Sequence, residues 1–314
     1  MLTINKRNFL KAVGMGGAAL LAGAKIGVAE ERKYRIGLAM NATGHPFNIA
    51  MMDGNKQYAA EHFPNVEILV TDGQAQTLKQ VQDVESLIAR GVDAIMISPN
   101  ADQPLHPVLK AAMAKNIPVI TLDSAVSLPV TSKIGANNRL IGAEVGKFVT
   151  EKLGKDARII EIQGTSGRLP TIERGQGFSD GLGGVGKIIA QQYCDYARAP
   201  AVRFMEDMTN RFAEGEFNVV YAHNDTMALG AIQVLRERGR LKDVVVVGID
   251  GENAAFKAVA AGEMAGCWIY PACAPDGIKA AYAIVTGAGF EPEIVLPTVA
   301  VTKANVQDYL GKGI

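Results

Sequence analysis

The stretch YAHNDTMALGAI, residues 221–232, decides the fold of this chain. The apolar run 217–222 predicts a buried strand, which ends where Asn224 and Asp225 interrupt it. The residues that follow predict a helix, and Asp225 is a candidate N-cap because its short carboxylate can accept an unpaired backbone N–H. The stretch therefore predicts a strand, a polar turn and a helix in immediate succession.

A second stretch, VVVVGID at residues 244–250, predicts the next strand, ending on Asp250. Two successive parallel strands would place Asn224 and Asp250 at their carboxyl ends, the edge at which open α/β sheets bind ligands. Asn and Asp also commonly form caps and turns after strands. The pattern alone leaves both roles open for these two residues.

The alternation of strand, loop and helix continues along the chain and predicts right-handed βαβ units with parallel sheets. Strands are expected at residues 34–40, 66–70, 94–98, 119–122, 158–162, 187–191, 217–222 and 244–248. The 314 residues suit two α/β domains rather than one. The predicted fold class is α/β, with two similar lobes that each hold a parallel sheet flanked by helices.

Residues 1–29 are typical of a cleaved signal peptide. They begin with basic residues that include Lys6 and Arg7, continue with an apolar run at 12–23, and end on small residues at 27–29. The basic start KRNFLK resembles a twin-arginine signal with Lys in place of the first Arg, and ordinary Sec export is the alternative. The expected location is the periplasm.

The charge balance argues against a nucleic-acid partner. Of the 32 Lys and Arg residues, Lys6, Arg7, Lys11 and Lys25 lie in the signal segment, which has no acidic residue. The remaining chain carries 28 basic against 32 acidic residues, a net charge of −4. Binding to nucleic acid depends on neutralising phosphates with basic side chains, so this balance is unfavourable.

Three cysteines, Cys194, Cys267 and Cys273, leave at least one thiol unpaired within the chain. Buried free thiols are the preferred interpretation, because Cys is often simply a core residue. A bridge between Cys267 and Cys273 in an oxidising compartment is the alternative.

Sequence motifs of catalysis and metal binding are absent. The four His residues are scattered without metal-ligand spacing, and the chain has neither a P-loop nor a Gly-x-Ser-x-Gly elbow. The glycines at 14, 16 and 17 lie in the signal's apolar run, with no strand before them, so they do not predict a dinucleotide site. We therefore expect no catalytic residues, no metal and no cofactor.

Several blocks of the sequence carry a family resemblance. VITLD at 119–123, ERGQGF at 173–178 and the stretch 221–232 resemble, in this order along the chain, the periplasmic sugar-binding proteins of the ribose-binding type, the type I substrate-binding subunits of ABC importers. The resemblance implies that the chain crosses three times between the lobes, forming a hinge. The implied lobes are 33–136 plus 269–297, and 137–268 plus 298–314.

The resemblance also implies ligand contacts in the cleft between the lobes. Phe47 matches a stacking aromatic, Asp123 a carboxylate that grips sugar hydroxyls, and Arg174 a sugar-binding arginine. A core position is the alternative for Phe47, a turn is the alternative for the first lobe's Ser98, and a turn is also the alternative for the hinge residue Asn137. The implied set is His45, Phe47, Asn48, Ser98, Asp123 and Ser124 in the first lobe, Asn137 at the crossing, and Arg174, Tyr196, Asn224, Asp250 and Tyr270 beyond it.

Three positions depart from the family pattern. His45 stands where an Asn is often found, Asn48 where a second aromatic is often found, and Ser124 where ribose-binding proteins often have Arg. The loss of that Arg removes a guanidinium beside Asp123 and argues against ribose itself. Asp, Asn and Arg side chains suit hydroxyl groups, so a small neutral sugar or polyol is expected.

The predicted function is capture of that solute by hinge closure and its delivery to a membrane ABC permease, by a monomer without enzymatic activity. A chemoreceptor or sensor kinase is a further partner that the resemblance allows. Two alternatives are a regulatory effector domain of the LacI type, which shares the fold, and a secreted α/β enzyme that acts on a sugar. The signal segment argues against the regulator, and the lack of a nucleophile argues against the enzyme.

Overall fold

The computed structural model describes residues 32–314, so the signal peptide predicted at 1–29 lies outside the described residues. The strands are β1 (Tyr34–Met40), β2 (Val66–Asp72), β3 (Ala94–Ile97), β4 (Val119–Leu122), β5 (Ser132–Gly135), β6 (Arg158–Gln163), β7 (Lys187–Tyr193), β8 (Val219–Ala222), β9 (Val245–Asp250), β10 (Gly266–Ile269), β11 (Glu293–Val295) and β12 (Val299–Thr302). The helices are α1 (Pro46–His62), α2 (Thr77–Ala89), α3 (His106–Ala114), α4 (Asn138–Leu153), α5 (Leu169–Leu182), α6 (Arg198–Arg211), α7 (Asp225–Glu237), α8 (Asn253–Ala261) and α9 (Asp276–Thr286).

These elements form two lobes, each built on a six-stranded sheet. The first sheet has the order β11-β5-β4-β3-β1-β2 and is parallel throughout. The second has the order β12-β10-β9-β8-β6-β7, in which only the β10–β12 pair is antiparallel. The predicted α/β class with two similar, mainly parallel lobes is confirmed.

Helices cover both faces of each sheet, which explains the continuous apolar runs of the inner strands. In the first lobe, Met51 of α1 and Ile278 of α9 pack on one face. Leu87 of α2 and Leu109 of α3 pack on the other face. In the second lobe, α4 and α5 contribute to one core and α6, α7 and α8 to the other. The helices leave the carboxyl ends of the parallel strands uncovered at one edge of each sheet.

Helices α4 and α5 approach each other unusually closely, because glycines line their contact. A Cβ built on Gly177 would collide with the carbonyl oxygen of Arg139. A Cβ on Gly142 would collide with the carbonyl oxygen of Arg174 and would lie 2.8 Å from the amide nitrogen of Phe178. Gly177 of the ERGQGF block therefore permits the close contact between α4 and the helix that carries Arg174.

Three segments connect the two lobes. The chain passes from β5 to α4 in residues 136–137, from β10 to α9 in residues 270–275, and from β11 to β12 in residues 296–298. β10 continues through Ile269, so the second passage follows the predicted crossing at 268–269. The assignment of single residues to lobes stays a prediction.

The three cysteines are buried free thiols, as preferred from the sequence. Burial raises the pKa of the Cys194 thiol to about 11 and that of the Cys267 thiol well above its usual range. Thiolates are the reactive form, so the raised pKa values keep these buried thiols in the protonated, less reactive form at neutral pH.

Candidate ligand-binding site

A cavity lies between the two lobes, at the carboxyl ends of strands from both sheets. It contains about 590 Å³ of space free of protein atoms, including the part that opens to solvent, which suits a small molecule. The predicted residues that line it are His45, Phe47, Asn48 and Asp123 from the first lobe, and Arg174, Tyr196, Asn224 and Asp250 from the second. The structure thus brings two thirds of the predicted contacts to one place.

Two aspartates occupy strained backbone positions at the ends of strands. Asp123 directly follows β4 with φ 65°, and Asp250 ends β9 with φ 130°. Non-glycine residues rarely adopt positive φ, and such conformations cost about 1–3 kcal/mol. Both side chains line the cavity, as do Ala75, Asp195 and Tyr196, whose φ angles are also positive.

Arg174 is buried in the site, with 3% of its surface exposed. Its Nε donates to Asn138 Oδ1 at 2.9 Å, and its Nη1 donates to the backbone carbonyl of His223. The same Nη1 lies 3.7 Å from Asp250 Oδ1. Burial raises the pKa of Asp250, and the Arg174 guanidinium opposes that rise. The guanidinium is therefore held in one orientation before any ligand contact.

The sequence prediction missed Arg168, which precedes α5 in the second lobe. Its Nη2 donates to Asp123 Oδ2 of the first lobe at 3.2 Å, and its side chain is 7% exposed. A usable signal was present, because residues 164–168 form a glycine-containing loop at the carboxyl end of β6. Its contact with Asp123 joins different lobes, and no sequence pattern indicates it.

Aromatic rings form part of the cavity wall. The Tyr196 ring lies 5.6 Å from the Cζ of Arg168, and its hydroxyl shares a 2.9 Å hydrogen bond with Thr171 Oγ1. Only glycine fits at position 164, because a Cβ there would enter the Tyr196 ring. Phe47 packs edge-on against Tyr270 at a centroid distance of 5.5 Å. The Phe47 and Tyr196 rings offer apolar surface for the C–H faces of a ligand.

Two predicted serines do not line the cavity. Ser98 is fully buried, and its Oγ has no hydrogen-bond partner among the described residues. Ser124 is also buried, and its Oγ lies 3.5 Å from the Ala125 carbonyl oxygen. Their roles as ligand contacts stay predictions. In the described residues, both serines are buried and neither is part of the cavity lining.

Asn137 and Tyr270 also lie outside the lining and support it instead. Asn137 is the N-cap of α4 and accepts the Leu140 N–H at 2.9 Å, the turn role named as its alternative. The Tyr270 hydroxyl donates to the Asp123 carbonyl oxygen at 2.7 Å and accepts the Ala136 N–H at 3.2 Å. Tyr270 thus connects the two lobe passages and fixes the turn that carries Asp123.

Two further amides line the cavity, and the strand-end rule could have identified them. Asn41 follows β1, and its buried Oδ1 has no hydrogen-bond partner among the described residues. Asn100 follows β3, and its Nδ2 donates to the Ala75 carbonyl at 3.1 Å and to Thr77 Oγ1 at 3.0 Å. Asn41 therefore offers a free acceptor to a ligand hydroxyl.

The expected N-cap role of Asp225 is wrong. Asn224 caps α7 and accepts the Met227 N–H at 2.9 Å, while Asp225 is the first residue of the helix. Asp225 Oδ2 instead accepts the backbone N–H groups of Gly251 and Glu252, at 2.8 and 2.9 Å. It thus holds the loop that follows Asp250 and links the stretch 221–232 to the stretch 244–250.

Asp225→Asn is expected to flatten the dependence of stability on pH. Burial raises the pKa of Asp225 to about 7, while hydrogen bonds from Cys267 and the Gly251 and Glu252 amides oppose the rise. Between about pH 4 and pH 7 the folded protein therefore binds more protons than the unfolded chain, and stability falls as pH rises. Above about pH 7 this contribution is constant.

Asn keeps an oxygen for the two amides and removes the titration. Thermal unfolding measured from pH 5 to 8 should show a smaller decline of the melting temperature with rising pH for Asp225→Asn than for the wild type. The exposed Asp243→Asn is the matched control and should keep the wild-type slope. Equal slopes in all three proteins would contradict this assignment.

The described residues contain no cluster of His, Cys, Asp and Glu that could hold a metal ion. Across residues 32–314, no helix combines the length and the apolar character required to span a membrane.

Two lobes, three connecting segments and a polar cavity between them define a protein that encloses a small solute between hinged domains. The chain matches the model of the periplasmic binding protein domain over residues 36–289. It belongs to the periplasmic binding protein family, whose members are periplasmic or extracellular. The family resemblance noted in the sequence is confirmed.

Individual relatives support the same conclusion. The chain is 30% identical to the ribose import binding protein of Bacillus subtilis over 230 residues, which cover 73% of each protein. It is 30% identical to the xylitol-binding protein of Mycolicibacterium smegmatis over 300 residues, covering 94% of this chain and 84% of the relative. A solved ABC transporter solute-binding protein from Mycobacterium smegmatis with bound glycerol aligns with a TM-score of 0.83 and 33% identity, over 89% of this chain and 97% of that one. These relatives are binding proteins rather than enzymes.

Proposed function

We propose that this protein captures a small neutral sugar or polyol in the cleft and delivers it to an ABC permease. The observation that carries the proposal is a pair of guanidinium–carboxylate contacts in one cavity, Arg168 with Asp123 and Arg174 with Asp250. Each pair offers donors and acceptors side by side. Adjacent hydroxyl groups, which both donate and accept, fit this arrangement.

The charges of the cavity favour a neutral ligand. Both arginines that line the described cavity lie against a carboxylate. Burial lowers the pKa of His45, and nearby Arg168 lowers it further, so this imidazole is neutral at pH 7. An anionic ligand would therefore meet carboxylates without an uncommitted positive charge.

The energetics of a few such contacts are sufficient. A hydrogen bond to a charged group contributes about 1.5–3 kcal/mol, and micromolar binding requires about −8 kcal/mol. Because the Arg168–Asp123 pair joins the two lobes, the full set of contacts exists only when the cleft is closed. A ligand that binds the closed form better shifts the population of lobes toward closure.

The biological setting follows from the proposed binding role. We place the mature protein in the periplasm after removal of residues 1–29, as a monomer that presents its ligand to the permease without converting it. Incubation of the purified protein with a bound sugar, followed by chromatography, should return the sugar unchanged. A sensor kinase or chemoreceptor is a second receiver of the closed form that the same role allows.

A thermal-shift screen tests the proposal. We expect at least one of D-ribose, xylitol, D-fructose, myo-inositol and glycerol to raise the melting temperature, since binding to the native state stabilises it. D-ribose 5-phosphate and D-glucuronate serve as anionic controls and should leave it unchanged. A response to the anionic compounds alone would reject the neutral ligand class, and no response to the neutral compounds would reject the binding proposal.

A further inference from the structure

The first lobe lacks a guanidinium beside Asp123. The position that follows holds Ser124, which is buried and does not line the cavity. A carboxylate that accepts hydrogen bonds from ligand hydroxyls is selective when a donor lies next to it. Each hydroxyl can then donate to the carboxylate and accept from that donor. The sequence alone leaves Asp123 without such a neighbour.

Arg168 provides that neighbour from the opposite lobe. Its Nη2 donates to Asp123 Oδ2 at 3.2 Å, and the side chain lines the cavity. Its Nε is buried and has no hydrogen-bond partner among the described residues. The Tyr196 ring, 5.6 Å from the Cζ, covers one side of the guanidinium. The arginine is thus held in place with donor capacity left over.

We propose that Arg168 is a specificity-determining residue that acts across the cleft, both as a donor to ligand hydroxyls beside Asp123 and as the contact that holds the lobes together. This inference rests on the proposed solute-binding function for its recognition part only. The carboxylate and guanidinium come from different lobes, so this recognition unit is complete only when the cleft is closed.

The consequence is a coupling between recognition and closure. A ligand with adjacent hydroxyls satisfies the remaining donors of Arg168 and bridges it to Asp123, which adds to an existing contact between the lobes. A solute without adjacent hydroxyls leaves a buried donor of Arg168 unpaired, which costs affinity. Selection therefore acts on the closed state rather than on first contact.

Titration calorimetry with D-ribose, xylitol and glycerol tests the recognition part. For each probe that the wild type binds, Arg168→Gln should weaken affinity about 30-fold, within the range for hydrogen bonds to charged groups. Arg168→Lys keeps the charge without the planar fork and should weaken it about tenfold. Arg236→Gln is the matched control, because Arg236 pairs with Glu263 on the surface of α7 and should bind as the wild type does.

Small-angle X-ray scattering without ligand tests the closing contact. The radius of gyration of Arg168→Gln should exceed that of the wild type, while Arg236→Gln should match it. A double variant, Asp123→Asn with Arg168→Gln, should bind little worse than the weaker single variant, because the two residues act as one unit.

The outcomes distinguish failure of the solute-binding function from failure of the role of Arg168. If the wild type binds none of the probes, the solute-binding proposal fails, and the scattering comparison still decides the closing contact. If the wild type binds a probe and Arg168→Gln binds it within twofold, or if ligand-free Arg168→Gln scatters as the wild type does, the inference is overturned. Should Arg168→Gln not fold, wild-type affinity in Arg168→Lys overturns it equally.

Discussion

Arg174→Met is expected to weaken binding of the neutral solute at least about 100-fold and to lower the free energy of unfolding by about 3–5 kcal/mol. Arg174 is buried, lies 3.7 Å from Asp250, and donates to Asn138 and to the His223 carbonyl. Met fills similar volume without the guanidinium, so the buried carboxylate of Asp250 loses the charge that compensates it. Titration calorimetry and urea unfolding measure the two effects.

A second substitution separates binding from stability. Asp250→Asn in the Arg174→Met background removes the uncompensated charge and should recover part of the stability without recovering affinity. The matched control is Arg139→Gln, because Arg139 pairs with Asp180 at the surface, with side chains 57% and 53% exposed. An exposed pair contributes at most about 1 kcal/mol. Wild-type affinity in Arg174→Met would remove Arg174 from the ligand site.

Gly177→Ala is expected to destabilise the protein by about 3 kcal/mol and to weaken solute binding. Alanine in a helix is normally more stable than glycine by up to about 1 kcal/mol, so the expected sign is reversed here. The reason is the α4–α5 contact, where a Cβ would collide with the Arg139 carbonyl oxygen and lie 3.0 Å from the Ala143 amide nitrogen. Backbone atoms cannot rotate away as a side chain can.

Gly175→Ala lies in the same helix and provides the control. Its Cβ would meet Glu161 Oε1 at 3.3 Å, a contact with a side chain rather than with backbone. We expect a change within about 1 kcal/mol for this variant. Urea unfolding of both variants makes the comparison, and equal stabilities would show that the close approach of the two helices does not limit residue 177.

Much of the fold could be predicted because it depends on local patterns. The strands β3, β4 and β8 are buried on both faces, and their short, continuous apolar sequences predict such strands. The short strands β5, β10, β11 and β12 escaped prediction. Each of the four has only three or four residues, and β11 and β12 pair with strands that are not their neighbours in sequence.

The site could be predicted only in part, because local sequence patterns do not show how the two lobes meet. Asp123 and Asp250 lie at strand ends, and strand ends determine the edge of a sheet that faces ligand. That rule says nothing about which residue of one lobe meets which residue of the other, and Arg168 was missed for this reason. It also does not distinguish lining from support, as Tyr270 and Asn137 illustrate.

Each lobe is assembled from two separate stretches of chain, and this affects the order in which the protein folds. The first sheet ends on β11, and α9 covers one of its faces, yet both follow the whole run from β6 to β10. The second sheet is completed by β12 alone. Contacts between residues so far apart in sequence slow folding. A nascent chain therefore completes neither sheet until β11 and β12 have been made, and a chain that ends before α9 would leave apolar surface of both lobes uncovered.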